Sequence, residues 1–333
     1  MAIVAKAPGK LVVLGEYAVL TGGAALVMAV DRYCIATLEP SADERCHLLT
    51  LAAERAQSNF APATTSGSGL VDRVTHAWPR ARVGAWRGSL DSRLLYRGRR
   101  KLGLGSSAAC LVAWAGVWNA YVGSGALARS GGCLHELIAL HHAWQNDTGS
   151  GLDVAASLLG GVLSYRSGSN GAPECVSVGW PDGVGFIVIA TPAAASTPQL
   201  LQRFQAWRVA DAAAAARQLA EMEAIAAFGI EAVQMGDANQ LIEAVADYGE
   251  LLQNLGKHIQ ADIVTAEHAA VARLARQHGI AYKVSGAGGG DIGLGLATDH
   301  EALAVFASVL PPGCEALSVG IDAAGLVMEE QSA

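Results

Sequence analysis

Gly103-Leu104-Gly105-Ser106-Ser107-Ala108-Ala109 stands directly before an apolar segment, 108–121, and this junction constrains the 333-residue chain more than any other. Glycines let a backbone curl tightly and approach an anion with no Cβ in the way. A helix starting there offers unpaired N–H groups and the positive end of its dipole, which together suit a phosphate. The two serine hydroxyls can cap the helix, bind a phosphate oxygen or ligate Mg2+. On this motif alone, a Gly/Ser helix start with no ligand stays open. Two common phosphate-binding patterns do not fit. A dinucleotide fold expects an opening βαβ unit and an acid about twenty residues on, where this chain has Gly123-Ser124-Gly125. A Walker A loop needs Gly-x-x-x-x-Gly-Lys-Ser/Thr, a setting that neither Gly9-Lys10 nor Gly256-Lys257 has.

The composition, 52% hydrophobic and 16% charged, supports a well-buried core and excludes bulk disorder. A net charge of −7 argues against general nucleic-acid binding, which favours a basic surface. Cys34, Cys46, Cys110, Cys133, Cys175 and Cys314 have neither zinc-like spacing nor the density of a disulfide scaffold. Buried thiols in a reducing cytoplasm are the plain expectation. Lys6 and Pro8-Gly9 interrupt any signal-peptide core at the N-terminus. Ala108 to Trp118 is too short to span a membrane and reads as a buried helix. The expectation is a soluble cytoplasmic protein that binds neither membrane nor nucleic acid, as a monomer or homodimer.

Along the chain, Val12–Leu14, Ala24–Val30 and Tyr33–Thr37 read as strands, whereas Ala42 to Arg93 gives little periodic signal. Leu94-Leu95-Tyr96 reads as a short strand before the basic run Arg97, Arg99, Arg100 and Lys101. Helices are expected over 108–121, 134–144 and 153–159, strands at 162–165 and 186–189. Helices dominate 198–228 and 238–278, and strands return at 282–284, 292–296 and 316–319. The order favours an α+β, two-lobed architecture, with a boundary near 190 separating residues 1–190 from 191–333.

Two further segments carry chemistry. In Lys6-Ala7-Pro8-Gly9-Lys10-Leu11, Pro-Gly predicts a turn and Lys10 projects from the strand after it. A lysine so placed can stabilise charge on a transferring phosphoryl group, although an ordinary surface lysine fits as well. In Lys283-Val284-Ser285-Gly286-Ala287-Gly288-Gly289-Gly290-Asp291, four glycines in five positions lie between strand-like runs. They predict a loop pressed against a backbone or a ligand, or a bulged hairpin.

In their order and spacing these three segments resemble the three signatures of GHMP kinases, the superfamily of galactokinase and of homoserine, mevalonate and phosphomevalonate kinases. The resemblance runs from Lys6 to Gly295. It implies a two-lobed fold, with an N-terminal lobe like ribosomal protein S5 domain 2 and a ferredoxin-like C-terminal lobe. It also implies ATP and Mg2+ as cofactors. Lys101, Gly103, Leu104, Gly105, Ser106, Ser107 and Ala108 would hold ATP, and Ser107 would ligate the metal.

Finer matches resemble the phosphomevalonate kinase branch: Gly286–Asp291, Gly149-Ser150-Gly151-Leu152-Asp153-Val154, His141 with Gln145, and Ala195-Ser196-Thr197. Galactokinase's Asn-Leu-Ile-Gly-Glu-His is replaced by Val12-Val13-Leu14-Gly15-Glu16-Tyr17. The branch resemblance implies phosphoryl transfer to (R)-5-phosphomevalonate. Asp153, which as a first-turn carboxylate also suits a helix cap, would accept the substrate proton or orient the nucleophile, and Lys10 would stabilise the transferring group. Lys10, Tyr17, Ser150, Gly151, Ser196, Thr197, Gly288, Gly289 and Asp291 would contact the small phosphorylated or hydroxy-acid substrate. Two positions depart from relatives: His142 stands where mevalonate kinases carry a metal-binding Glu, and Asn146-Asp147 where phosphomevalonate kinases carry Gly-Lys. An acid there repels a phosphorylated substrate. The basic run 93–101 can offset it, since arginine grips phosphate in a bidentate way, or it can be a solvated segment. Mevalonate kinase or another small-alcohol kinase is the second expectation. A non-catalytic sensor on the same fold would tolerate loss of Lys10, Ser107 or Asp153, and all three are present.

Overall fold

Pro8-Gly9, expected to turn the chain, instead marks a β-bulge inside one long strand, β1 (Ala2–Leu14). Gly9 is needed there for a different reason: a Cβ would stand 2.6 Å from the Leu104 carbonyl oxygen. The computed structural model of the protein describes residues 2–78, 83–145, 149–168, 172–193 and 196–331; Asn146-Asp147 and Ala195 lie outside them.

β1 pairs antiparallel with β2 (Ala24–Pro40), whose apolar residues 24–30 are buried on both faces. The stretch from 42 to 93 gave little signal because its elements are short and largely exposed. It forms β3 (Cys46–Leu51), β4 (Arg55–Phe60), α1 (Gly69–Ala77) and β5 (Trp86–Asp91). Leu94 and Leu95 lie in a 3-10 turn, not a strand; only Tyr96 continues as β6 (Tyr96–Arg97), paired with β7 (Arg100–Lys101). The basic run is thus a tight hairpin.

α2 (Ser106–Tyr121) follows the Gly-Ser loop and is apolar on all sides, as befits a helix with no solvent face. It packs on β1 and β2, with Trp114 fully buried against Trp86 at 5.5 Å between ring centroids. Next come α3 (Gly131–Trp144) and α4 (Leu152–Leu159), then β8 (Val162–Arg166), β9 (Glu174–Val178) and β10 (Gly185–Ala190). Here β8 pairs with the first half of β2, while β5 pairs with its second half, so the sheet branches at β2.

The helical stretch divides into α5 (Thr197–Ala210), α6 (Ala212–Met235), α7 (Ala238–His258) and α8 (Ala266–Gln277). Asp211, Asp237 and Thr265 each cap the helix that follows by accepting a backbone N–H. β11 (Ala281–Val284), β12 (Ile292–Ala297), α9 (His300–Ser308) and β13 (Glu315–Leu317) follow, and β11, β12, β10 and β13 form a second antiparallel sheet in that order. The last strand, β14 (Val327–Gln331), returns to pair with β1, an element the sequence did not announce. The fold is α+β with two sheets among the described residues. Among those residues no helix is long and apolar enough to cross a membrane.

Candidate active site

The Gly-Ser loop and the N-terminal strand meet directly: the Lys10 N–H donates to the Leu104 carbonyl at 2.8 Å, and Lys10 Nζ donates to the Gly103 carbonyl at 2.9 Å. Gly103 and Gly105 both adopt positive φ (72° and 77°), a region L side chains rarely occupy. Space also demands glycine at each. A Cβ at Gly103 would lie 2.8 Å from the Asp291 Cβ, and one at Gly105 would lie 2.9 Å from Lys10 Cγ and 3.7 Å from the Asp153 Cβ. The loop therefore presses residues from three distant segments together.

Those residues line one cavity of about 740 Å3. Its wall includes Lys10, Tyr17, Lys101, Gly103, Gly105, Ser106, Ser107, Ser150, Asp153, Thr197 and Asp291. Gly288 and Gly289 do not reach the wall. Their missing side chains make room for protein: a Cβ at Gly288 would be 2.5 Å from the Ile263 carbonyl oxygen, and one at Gly289 would be 3.0 Å from Leu200. Leu104 and Ala108 also face the core rather than the cavity, and Gly151 packs against Ile138. Ser196 stands one residue before α5.

Lys10 is buried at 9% exposure. Burial pulls its ammonium below the usual lysine range, while the Asp153, Asp291 and Glu16 carboxylates push the other way. Asp153 lies in the first turn of α4, where its Oδ1 accepts the Val154 N–H at 3.0 Å. The positive ends of α2 and α4, both opened by left-handed glycines, are brought to the same cavity.

Arg99, Arg100 and Lys101 form a basic rim on the β6–β7 hairpin. Arg99 pairs with Glu54, Arg97 with Glu315 and Arg93 with Asp91. Arg100 differs, since its Nε is buried with no hydrogen-bond partner among the described residues. Part of the run is thus solvated ion pairs and part is cavity wall.

Several site residues received no role from sequence reasoning. Lys283, wholly buried, donates to Glu16 Oε1, and the Gly286 N–H donates to the same oxygen at 3.3 Å. Ser285 Oγ accepts the Val12 N–H at 3.0 Å and donates to the Val12 carbonyl at 2.9 Å, while Tyr17 Oη donates to the Ala287 carbonyl at 2.6 Å. Together these bonds tie the glycine-rich segment to the end of β1. The signal for Lys283 was present: a lysine inside an apolar strand between Tyr282 and Val284 requires a buried carboxylate. His141 was matched by resemblance, and its Nε2 hydrogen-bonds Ser107 Oγ at 3.2 Å. His268, buried behind the loop, has a tautomer fixed by its partners: Nε2 donates to the Gly290 carbonyl at 3.1 Å, leaving Nδ1 to accept from Tyr282 Oη at 2.8 Å.

The family model described as GHMP kinases C terminal matches residues 229–311. The chain is 29% identical to a protein named phosphomevalonate kinase from Streptomyces sp. (strain CL190), with 90% of this chain and 91% of that protein covered. It is 27% identical to a protein named mevalonate kinase from Aeropyrum pernix, with 98% of each covered. The chain belongs to the GHMP kinase superfamily. The fold of this GHMP kinase agrees with that of Streptococcus pneumoniae phosphomevalonate kinase, solved in complex with phosphomevalonate and AMPPNP. The TM-score is 0.77 at 20% identity, covering 96% of this chain and 99% of that one.

Proposed function

We propose that this GHMP kinase transfers the γ-phosphoryl group of ATP to (R)-5-phosphomevalonate, giving the diphosphate. Convergence carries the proposal: three segments separated by up to 280 residues bring a buried lysine, a helix-borne carboxylate and a glycine-lined helix N-terminus to one cavity. The Streptomyces relative named phosphomevalonate kinase supports the acceptor. So does the cationic wall of Lys10, Arg99, Arg100 and Lys101, which suits an acceptor that already carries a phosphate. The Aeropyrum relative named mevalonate kinase supports mevalonate as the second reading.

In the proposed mechanism the N–H groups of Gly105 to Ser107 and the dipole of α2 hold the nucleotide phosphates. Lys10, fixed by its bond to the Gly103 carbonyl, stabilises charge as it spreads over the transferring group. Asp153 accepts the acceptor's proton or orients its oxygen, and Tyr17, Ser150, Thr197 and Asp291 shape the acceptor side. Ser196, Gly151, Gly288 and Gly289 act there through backbone position. Mg2+ fits the donors present. Ser107 and Asp153 offer hard oxygens, no group of three His, Cys, Asp or Glu side chains forms a cage among the described residues, and Mg2+ usually takes one or two protein oxygens plus phosphate and water. When bound, the ion neutralises phosphate charge. We propose the lobe division at residue 190, residues 1–190 forming the ATP-binding lobe and 191–333 the second.

ADP release measured with phosphomevalonate, mevalonate, homoserine and galactose tests the acceptor. Turnover on phosphomevalonate is expected; turnover confined to mevalonate establishes the second reading instead.

A further inference from the structure

Cys34 on β2 and Cys110 on α2 are far apart in sequence, yet their thiols are hydrogen-bonded to one another where the nucleotide-loop helix packs on the sheet. Cys34 is completely buried and Cys110 is half-buried, one helical turn beyond Ser106. The mechanism uses neither. The Ser92 hydroxyl hydrogen-bonds Cys110, and the Lys101 ammonium is close enough to act on it.

The structure assigns Cys34 and Cys110 to a redox pair that closes to a disulfide under peroxide. The two thiols have unequal parts. The hydrogen bond with Cys34, the Ser92 hydroxyl and Lys101 hold the Cys110 thiol below the ordinary range against the effect of burial. The same hydrogen bond, with burial and the nearby Asp91, pushes the Cys34 thiol up. Cys110 is therefore the attacking thiolate and Cys34 the resolving thiol, the arrangement of redox-sensitive cysteines. In the first step the Cys110 sulfur attacks one peroxide oxygen, the O–O bond breaks, and the sulfenic acid forms with release of hydroxide. In the second, the Cys34 sulfur attacks the sulfenic sulfur, and the S–O bond breaks as the S–S bond forms. The expelled hydroxide leaves as water with the Cys34 proton. Two thiols lose two electrons and two protons, and one peroxide becomes two waters.

Bond formation does not depend on the kinase reading; its consequence does. A disulfide holds its sulfurs about 2.05 Å apart, closer than two hydrogen-bonded thiols. Closure therefore draws the first turn of α2, which carries Ser106 and Ser107, toward β2. Misplacement of about 1 Å in a catalytic site costs about 100-fold, and kcat/KM for ATP is expected to fall by up to about that factor.

Trypsin separates the pair cleanly, because Cys34 is the sole cysteine of the peptide 33–45 and Cys110 the sole cysteine of 102–129. The full-length protein is treated with hydrogen peroxide, alkylated, digested and analysed by mass spectrometry. The expected result is a linked pair of these peptides 2 Da below the sum of the reduced forms, lost on dithiothreitol treatment. In Cys34→Ser, Cys110 should instead be trapped by a sulfenic-acid probe. Cys110 over-oxidised with Cys34 still alkylatable in the wild-type protein, or both left reduced while other cysteines react, overturns the proposal. A linked pair with unchanged kcat/KM for ATP overturns the regulatory consequence alone. A reduced protein with no phosphoryl transfer to any acceptor counts against the kinase reading and leaves the cross-link result standing.

Discussion

The Lys283 ammonium donates to the Glu16 carboxylate across 267 residues of sequence, and both side chains are buried. The pair joins the glycine-rich segment after β11 to the end of β1, next to the lysine of the cavity. Burial draws the Lys283 ammonium below the usual lysine range despite the carboxylate beside it. Removing one partner leaves an uncompensated buried charge, at a cost of about 3–5 kcal/mol, whereas apolar or neutral replacement of both is far milder. Lys283→Met should lower the denaturation free energy by about that amount, and Glu16→Gln with Lys283→Met should recover most of it. Urea unfolding followed by circular dichroism measures both. A double variant as unstable as the single one would show that the ion pair is not the source of the loss.

Lys10 predicts both a rate and a pH effect. Loss of one preorganised charge donor typically costs about 10²–10³ in kcat, and Lys10→Met should fall in that range with the fold retained. Because burial lowers its affinity for protons, the ammonium is lost below the model value of 10.5. The folded state then binds fewer protons than the unfolded chain between the lowered value and 10.5. Activity should decline through that alkaline window while this group's contribution to stability rises with pH. Lys10→Arg, which stays charged, should keep its residual activity to higher pH. A pH profile of kcat from 6 to 10 decides this.

Asp153→Asn keeps the size of the side chain and removes its charge. If the carboxylate handles the acceptor proton, kcat should drop by about 10²–10⁴, the scale of general acid–base catalysis. Stopped-flow or coupled ADP assays would show it, and intact turnover would remove Asp153 from the chemistry.

Gly105→Ala puts a methyl group 2.9 Å from the Lys10 stem at a φ of 77°. The strain of a non-glycine residue in this region is about 1–2 kcal/mol. Global stability should fall by that amount, while KM for ATP should rise more steeply because Lys10 and the loop are displaced together. Gly288→Ala makes a contrast. It collides with the Ile263 carbonyl, away from the cavity wall, so its main effect should be on thermal stability.

The strands and helices outside 42–93 were legible because their apolar residues repeat at the periods of regular structure, as in 108–121 and 186–189. In 42–93 the strands β3 and β4 are short and half exposed, and periodicity has little to act on. β14 was missed because its pairing with β1 is decided by a partner more than 300 residues away. Lys10, Ser107, Asp153 and Asp291 were named from the sequence, and they share one cavity. Gly288 and Gly289 show the limit: a glycine that admits a ligand and one that admits a neighbouring carbonyl look alike in sequence. The Glu16–Lys283 pair stayed hidden because partnership between two charges depends on tertiary distance alone. Arg100, with a buried Nε lacking a partner among the described residues, could be separated from the solvated members of its run only by geometry.

The most direct measurement is the rate of ADP formation from ATP with phosphomevalonate, compared with mevalonate under identical conditions. Phosphoryl transfer to a phosphorylated acceptor predicts turnover with phosphomevalonate at a kcat/KM well above that for mevalonate, and loss of that preference in Arg100→Ala. No ADP formation with phosphomevalonate, alongside turnover of mevalonate or another unphosphorylated alcohol, would contradict it.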